Sequence, residues 1–240
     1  MSRIAVMQPY FFPYAGYFRL LHTADQFVLL DCVQFPRRGR VHRTEVPGPA
    51  AAVEWLTLPL ARQPRDVLIR DLRFAPDARA VLDRRLARYS WLAEASGPVA
   101  DRLRAYLHRP LGSVVEYLAD GIGLVADLLG LAAAISRSSA LGIDPNLRGQ
   151  ERIIAVVRAL GGTDYINAPG GHGLYDRERF GEAGLTLSFL AEYEGPHRQL
   201  LPALVSRPLA EIANDVRSWS RLEPPRALPH EATARAPSPT

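Results

Sequence analysis

The first 31 residues alternate apolar and polar segments in the order of a βαβ unit. Residues 4–7 are an apolar run that predicts a short buried strand, and residues 16–24 carry apolar side chains at helical spacing. Residues 26–30 form a second apolar run, which ends at Asp31. Because parallel strands need a crossover connection, a strand, a helix and a second strand in this order predict a parallel sheet.

The later pattern predicts further strands and helices. Two alternating segments, at residues 53–60 and 67–74, predict strands that form a hairpin inserted in the main sheet. A helical region follows, in which Ser113 and Glu116 form a capping box before a long apolar helix. We predict helices at residues 77–89, 99–108, 113–129, 150–160 and 176–183, strands at 133–139, 164–167 and 185–190, and a turn at 168–173.

This pattern predicts one α/β domain over residues 1–222, with a mostly parallel, Rossmann-like sheet and a helical insertion at about residues 77–130. Residues 223–240 are rich in Pro, Ala and Arg without periodicity, which predicts a disordered tail. Ligands of parallel sheets bind beyond the carboxyl ends of the strands. The aromatic loop at residues 8–14 and the segment at residues 31–34 are therefore expected at the binding edge.

Composition excludes several kinds of chemistry. All 29 basic side chains counted as Lys or Arg are arginines, so a Schiff base, a lysine-anchored pyridoxal cofactor and a P-loop lysine are excluded. The single cysteine, Cys32, cannot form an internal disulfide. The apolar stretch at residues 124–135 is interrupted by Asp127 and is too short to span a bilayer. We expect a cytoplasmic protein with no membrane partner, no cofactor and no metal site.

Four segments together resemble the WbqC-like family, which is known from surface-polysaccharide and natural-product gene clusters. They read "MQPYFFPYAGYFRLL", "FVLLDCVQFPRRGRVHR", "LRGQERIIAVVRALGGTDYINAPGG" and "LYDRERFGEAGLTLSFL". The resemblance implies an enzyme of small-molecule biosynthesis acting on an amino sugar or a natural product. The activity it suggests is that of a transferase that forms an amide by acyl or aminoacyl transfer to an amine.

The chain departs from the family pattern at four positions. Cys32 stands where the family has the second acid of a pair, and His42 and Thr44 replace residues of a Gly-aromatic-x-Asn-Arg-Asn run. Near Pro208, a serine and an acid of the family are replaced. These departures leave open altered chemistry, another substrate or no activity.

A second resemblance is to the nucleotidyltransferase signature in which two histidines flank a glycine at a helix start. Tyr14 and Tyr17 occupy the histidine positions around Gly16. Tyrosine hydrogen-bonds a phosphate but is uncharged at neutral pH, so it stabilises developing negative charge poorly. The resemblance therefore implies a nucleotidyltransferase-like fold more than nucleotidyl transfer, and a degenerate nucleotidyltransferase remains an alternative.

Four residues are candidates for catalysis: Asp31, Tyr14, Cys32 and His42. An acid at a strand end among apolar neighbours is suited to general-base work, here removal of a proton from the attacking amine, although it can equally pair with an arginine. Cys32 is a candidate nucleophile with His42 near it in sequence. Single buried cysteines are, however, usually inert packing, and an adjacent carboxylate raises the pKa of a thiol.

The candidates for substrate binding fall into three groups. Gln8, Tyr10 and Tyr17 belong to the opening segment, in which the aromatic residues could also form a core plug. The arginines that follow the second strand are suited to capture phosphate or carboxylate. A helix start and a glycine-rich turn expose backbone N–H groups. The candidates in these last two groups are Gln34, Arg37, Arg43, Gln150, Asn167, Gly170 and Gly171.

The expected partner is a small-molecule substrate, with a nucleotide-activated substrate as one option. The net charge of +4 is mild and the arginines are scattered among acids, which argues against a nucleic-acid surface. The one nucleic acid that stays open is an aminoacyl-tRNA donor. Besides the degenerate nucleotidyltransferase, two alternatives to the transferase remain: a non-catalytic protein that binds a pathway intermediate or a partner enzyme, and a Cys32-dependent hydrolase.

Overall fold

Strands and helices alternate along most of the computed structural model, which describes residues 2–48 and 52–224. The strands are β1 (Arg3–Met7), β2 (Gln26–Leu29), β3 (Arg43–Pro47), β4 (Val53–Thr57), β5 (Ala134–Arg137), β6 (Asp164–Asn167), β7 (Thr186–Leu190) and β8 (Leu222–Glu223). The helices are α1 (Ala15–Thr23), α2 (Ala78–Leu86), α3 (Ser90–Ala93), α4 (Pro98–His108), α5 (Val114–Leu128), α6 (Gly149–Ala159), α7 (Arg177–Glu182), α8 (Leu200–Ser206) and α9 (Leu209–Ser218).

Six strands of the described residues form the main sheet, in the order β5-β2-β1-β6-β7-β8. β5, β2, β1, β6 and β7 are parallel, and β8 pairs antiparallel with β7. The strand order reverses between β1 and β6, which is the kind of switch point where parallel sheets bind ligands. The predicted α/β class with a mostly parallel, Rossmann-like sheet is confirmed.

Both faces of the central strands are covered, which explains their continuous apolar sequence. On one face, Ile4 and Val6 pack with Val28 and residues of α6, while Ala5 and Phe27 pack on the other face with α1. Ile4 is fully buried, and burial of such a side chain contributes about 1.5–3 kcal/mol. The βαβ unit predicted from residues 4–30 is present as β1, α1 and β2.

A buried arginine ties α1 to the other end of the chain. Arg19 is 1% exposed, and its guanidinium donates to the carbonyl of Ala191 at 2.8 Å and to that of Trp219 at 2.7 Å. Its Nε also donates to Gly16 O at 3.2 Å. Burial lowers the pKa of Arg19, yet the hydrogen bonds satisfy its donors.

The predicted hairpin partner is wrong. β4 pairs antiparallel with β3, from Arg43 opposite Thr57 to Pro47 opposite Val53, as a separate two-stranded sheet. Residues 67–74 contain a short 3-10 helix, and they pair only through isolated bridges such as Gln34 with Leu68. The strand at residues 67–74 was predicted only from the alternation of apolar and polar residues. β3 was missed because only two of its side chains, those of Thr44 and Val46, are buried.

The helical region between β4 and β5 holds α2 to α5, and Ser113 caps α5 as predicted by accepting the Glu116 N–H at 3.4 Å. α8 and α9 were not predicted. The single-domain assignment remains a prediction, and the expected tail lies beyond Pro224, outside the described residues, except for its first two positions. Across residues 2–48 and 52–224, every helix is too short or too polar to cross a bilayer.

Candidate functional site

The carboxyl ends of β1 and β2 lie side by side at one edge of the sheet. Leu30 N donates to Met7 O at 2.8 Å, so the segments that follow these strands, starting at Gln8 and Asp31, leave the sheet as neighbours. Asn167 ends β6 on the other side of β1. Gln8, Asp31 and Asn167, which the sequence predicted as site residues, therefore lie at the same edge of the sheet, but each has different neighbours.

Asp31 is fully buried and holds the end of β2 against the end of β5. Its Oδ1 accepts hydrogen bonds from Ser138 Oγ at 2.8 Å and Ser139 N at 2.9 Å, and its Oδ2 accepts one from Ser139 Oγ at 2.6 Å. The Asp31 N–H donates back to Ser138 Oγ at 3.2 Å. This network uses both carboxylate oxygens of Asp31 and ties the segment after β2 to the segment after β5.

Cys32 directs its thiol between a carboxylate and a guanidinium. Sγ lies 3.7 Å from Asp31 Oδ1 and 3.6 Å from Arg70 Nη1. Arg70 reaches this position because its backbone N–H donates to Asp31 O at 3.0 Å, which fixes the segment after residue 66 beside the end of β2. Cys32 is partly exposed and faces a cavity.

We call this cavity the arginine cavity. It measures about 460 Å³, and the polar side chains that line it are those of Cys32, Gln34, Asp66, Arg70, Arg148 and Arg152. Three guanidinium groups and one carboxylate therefore line its wall, and Arg70 also pairs with Asp71 at 3.7 Å. The lining also includes Gly149, the first residue of α6, which has a φ of +50° that favours glycine. The cavity is electropositive, and a helix N-terminus adds to its attraction for anions.

Backbone contacts fix two of these arginines. Arg152 is 5% exposed, and it donates to Leu147 O at 2.9 Å and to Asp144 O at 3.2 Å. Arg148 donates to Leu147 O at 2.9 Å and to Pro145 O. Arg152 thus shapes the loop before α6, while Arg70 and Arg148 are the more exposed cations of the cavity.

The opening loop divides between the core and the surface. Phe11 and Phe12 are 1% and 3% exposed, so they are core residues. Tyr17 is also buried and donates to Gln8 O at 2.9 Å, and burial raises its pKa well above the ordinary value. Tyr10 packs on Tyr17 with ring centroids 5.4 Å apart. Burial raises the pKa of Tyr10 too, with a further contribution from a neighbouring tyrosine, so both phenols are neutral at pH 7.

Tyr14 lies on the side of the loop that faces the β3–β4 hairpin. Its ring covers Gly16, where an added Cβ would lie 2.1 Å from Tyr14 Cε2. The Arg40 guanidinium lies 6.0 Å from the Tyr14 ring centroid, and the Tyr193 ring is 5.8 Å away. Within the described residues, no hydrogen bond, ion pair or ring contact joins Tyr10 or Tyr14 to Asp31.

Three further predicted residues lie around the hairpin rather than in the arginine cavity. Arg43 donates to Gly39 O at 3.1 Å and stacks over Trp55 at 4.2 Å. Arg37 donates to the carbonyls of residues 63 and 64, both at 2.8 Å. His42 packs against Phe35, and burial and nearby arginines lower its pKa to about 4, so its ring is neutral at pH 7.

The remaining predicted residues lie near β6 and α6. Gln150 Oε1 accepts the Asp176 N–H at 3.0 Å. Asn167 is buried and its Oδ1 accepts the N–H of Ala168 at 2.8 Å. An added Cβ at Gly171 would lie 2.2 Å from Asn167 Nδ2, so the turn requires glycine there, whereas Gly170 faces open space. Among the residues that the structure describes, no three His, Cys, Asp or Glu side chains are grouped to hold a metal ion.

Of the predicted site residues, Cys32 and Gln34 line the arginine cavity. Sequence reasoning missed Asp66 and Arg70 because the hairpin prediction placed residues 67–74 in a strand. A signal existed for Arg148, which stands at the start of α6 in the run Arg148-Gly149-Gln150-Glu151-Arg152. The catalytic roles of Asp31, Tyr14, Cys32 and His42 remain predictions.

The comparisons with known proteins concern most of the chain. The model of a family described as the WbqC-like protein family matches residues 8–204. A protein of Mycobacterium tuberculosis (strain ATCC 25618 / H37Rv), named "Uncharacterized protein Rv1507c", is 21% identical over 201 residues, which is 81% of this chain and 84% of that protein. No solved structure matches the chain significantly.

Proposed function

The chain belongs to the WbqC-like protein family, and from that premise we propose that it is an enzyme of small-molecule biosynthesis, a transferase that forms an amide by acyl or aminoacyl transfer to an amine. Its substrate carries an anionic group, such as the phosphates of a nucleotide-activated amino sugar or natural-product intermediate. The observation that carries this proposal is the arginine cavity at the carboxyl edge of the sheet.

The charges of the arginine cavity support an anionic ligand. Arg70 and Arg148 are exposed side chains in its wall, and the planar guanidinium group suits bidentate contact with phosphate or carboxylate. The volume of about 460 Å³ is in the range of small-molecule sites, which is roughly 300–1,000 Å³. We assign the two guanidinium groups to the anionic part of the substrate.

The reaction needs a base, and Asp66 is the carboxylate that lines the same cavity. In the proposed step the amine nitrogen attacks the acyl carbon, the C–N bond forms, and the bond from that carbon to the leaving group breaks. The leaving group departs with the electron pair, and the amine proton passes to Asp66. Asp31, which we predicted as the base, is fully buried and hydrogen-bonded, so in this proposal it positions Cys32.

Calorimetry with uridine diphosphate as the anionic probe and uridine as its uncharged reference tests the binding half of the proposal. We expect R70Q and R148Q each to lower the affinity for uridine diphosphate about tenfold or more. A hydrogen bond to a charged group contributes about 1.5–3 kcal/mol, and 1.4 kcal/mol corresponds to a tenfold change in affinity. The matched control is R221Q, a change at an exposed arginine of β8's edge, which should leave affinity unchanged. Equal affinity of wild type and R70Q would refute the assignment.

Mass spectrometry of mixtures of acyl or aminoacyl donors with nucleotide-linked amino sugars tests the chemical half. We expect D66N to keep its affinity for the diphosphate and to lose turnover by about 10²–10⁴-fold, the usual contribution of a general base. Full turnover of D66N would remove Asp66 from the reaction. Binding without product over long incubation would favour the non-catalytic alternative, a protein that holds a pathway intermediate.

A second candidate function rests on the thiol of Cys32, which faces the arginine cavity 3.6 Å from Arg70 Nη1. In this alternative the Cys32 sulfur attacks an acyl or ester carbon, the bond to the leaving group breaks, and the leaving group takes the thiol proton. Water then attacks the thioester, the S–C bond breaks, the acid is released and the thiol is regenerated, so the protein is a hydrolase. Stoichiometric labelling of Cys32 by an electrophile with loss of activity would support it. Full activity of C32S would exclude it and leave the direct transfer.

A further inference from the structure

A second cavity lies on the other side of the opening loop, between the β3–β4 hairpin and the helices α8 and α9. It measures about 530 Å³, and we call it the His197 cavity. Six of its lining residues carry the inference: Glu45, Val53, His197, Arg198, Arg207 and Glu211. The contact of Tyr14 with Arg40, which pairs with Glu45 at 2.7 Å, connects the opening loop to this cavity.

The charges of the His197 cavity are balanced, unlike those of the arginine cavity. Two guanidinium groups, of Arg198 and Arg207, face two carboxylates, of Glu45 and Glu211. Glu45 is already neutralised by Arg40, and Arg198 donates to Tyr193 O at 3.3 Å. Arg198 keeps its charge, so the charges left to meet a ligand are the guanidinium groups of Arg198 and Arg207 and the carboxylate of Glu211.

Within the described residues, Arg207 and Glu211 are the two of these charges whose side chains make no hydrogen bond. Within the described residues the Arg207 side chain makes no hydrogen bond or ion pair, and the two side chains form no ion pair with each other although they are four positions apart. Glu211 lies in the first turn of α9, and its Oε1 is 3.9 Å from His197 Nε2, beyond hydrogen-bond distance. A cation and an anion in one wall are thus separately available.

His197 is the fixed polar wall behind Glu211. Its side chain is 7% accessible, and Nε2 has no hydrogen-bond partner in the part of the chain that the structure describes. The backbone holds it in place, because His197 N donates to Tyr193 Oη at 3.1 Å and His197 O accepts the Ala15 N–H at 3.0 Å. Buried polar atoms of native proteins are generally hydrogen-bonded, so this ring nitrogen is a polar atom in the cavity wall that remains open to a hydrogen-bond partner.

Much of the remaining wall is apolar, although the side chains of Gln199 and Ser206 line it too. Val53 is 60% exposed on the hairpin, and Pro47, Pro202 and Ala203 line the same cavity. Exposed apolar surface beside a pair of opposite charges is complementary to a molecule that carries a positive charge, a negative charge and an apolar group.

We propose that the His197 cavity binds an α-amino acid with an apolar side chain. The Arg207 guanidinium receives the carboxylate, the Glu211 carboxylate receives the ammonium group, and the apolar side chain covers Val53. The inference stands apart from the proposed transferase activity, since it uses none of the residues of the arginine cavity.

Calorimetric titration of the full chain with three probes tests this proposal: L-leucine, L-leucinamide, which lacks the carboxylate, and N-acetyl-L-leucine, which lacks the ammonium charge. We expect leucine to bind and each blocked analogue to bind about tenfold more weakly or worse, because each loses a charged hydrogen bond. Absence of leucine binding at about 20 mM would overturn the proposal, because that concentration is well above a dissociation constant of 1 mM, which corresponds to about −4.1 kcal/mol. Equal affinity for all three probes would overturn it as well.

Two variants assign each charge to its residue. R207Q should bring the affinity ratio of leucine to leucinamide close to one, and E211Q should do the same for leucine and N-acetylleucine. R217Q, the same change at an exposed residue of α9 outside the cavity, is the control. Unchanged ratios in R207Q and E211Q would overturn the proposal. R70Q should leave leucine binding unchanged, which separates this test from that of the arginine cavity.

Discussion

Replacement of Asp31 by alanine should lower the free energy of unfolding, and the number of hydrogen bonds that Asp31 accepts sets the size of the loss. The substitution removes the acceptor of three hydrogen bonds, from Ser138 Oγ, Ser139 N and Ser139 Oγ. A buried donor that loses its partner costs about 1–3 kcal/mol, and water can reach the partly buried Ser139, so the lower end applies. We expect the free energy of unfolding to fall by about 3 kcal/mol, from three groups at about 1 kcal/mol each.

Urea unfolding followed by circular dichroism measures this loss as a lower midpoint with an unchanged slope. The matched control is D127A, because Asp127 is 73% accessible and its ion pair with Arg102 is long, at 3.6 Å. A surface substitution of this kind should change stability by about 0.5 kcal/mol or less. A loss in D31A below about 1 kcal/mol would refute the view that Asp31 fixes the carboxyl edge. The predicted base role fails separately, if D31N forms amide at the wild-type rate.

The pKa of His42 is lowered to about 4 in the folded chain, so as the pH falls the His42 ring takes up a proton in the unfolded chain before it does so in the folded one. The free energy of unfolding should therefore decline from about pH 6.5 towards pH 4. H42Q should flatten that part of a pH series of urea midpoints. A slope that is the same in H42Q and wild type would contradict this. Gly162 is packed so closely that an added Cβ would lie 2.4 Å from Ile4 Cγ1 and 3.1 Å from Val157 O, so G162A should lower the thermal midpoint through overpacking of about 1–3 kcal/mol. G173A, at a glycine with open space around it, should not lower that midpoint, and a similar fall in both variants would count against the packing explanation.

The main sheet could be predicted because its signal is local. Residues 4–7 and 26–30 are apolar runs buried on both faces, and the helix between them has apolar positions at the right spacing. The strand at 186–190 and the capped start of α5 at Ser113 follow from equally local patterns. The parallel orientation then follows from the rule that the strands of a βαβ unit are parallel, whereas the order of the six strands was not predicted.

The β3–β4 hairpin and the arginine cavity could not be predicted, because both depend on which segments pair with each other. A short pattern in a single sequence does not encode that pairing. β3 begins at Arg43, which was predicted from the sequence to belong to a group of anion-binding arginines. Its partner strand follows residues 48–52 and is not the alternating segment at 67–74. Placing Arg70 beside Cys32 requires the backbone hydrogen bond from Arg70 N to Asp31 O, 39 positions earlier in the chain. For that reason the arginine cavity, on which the proposed function rests, could not be predicted from the sequence.

The aromatic loop shows the limit of residue type as evidence. Phe11 and Phe12 are buried in the core, while Tyr10 and Tyr14 are only partly buried, yet all four rings stand within five consecutive residues. Only the hydroxyl distinguished them, because a phenol needs a polar partner wherever it is placed.

The buried Arg19 also constrains the order in which the chain can mature during its synthesis. Within the described residues its guanidinium pairs with no carboxylate; it donates instead to the carbonyls of Ala191 and Trp219, which a ribosome adds some 170 and 200 residues later. Until those carbonyls emerge, the first helix carries a cation that has to remain in water. The amino-terminal βαβ unit is therefore translated first but completed last, and a nascent chain cut before Trp219 should remain sensitive to protease at its amino-terminal end.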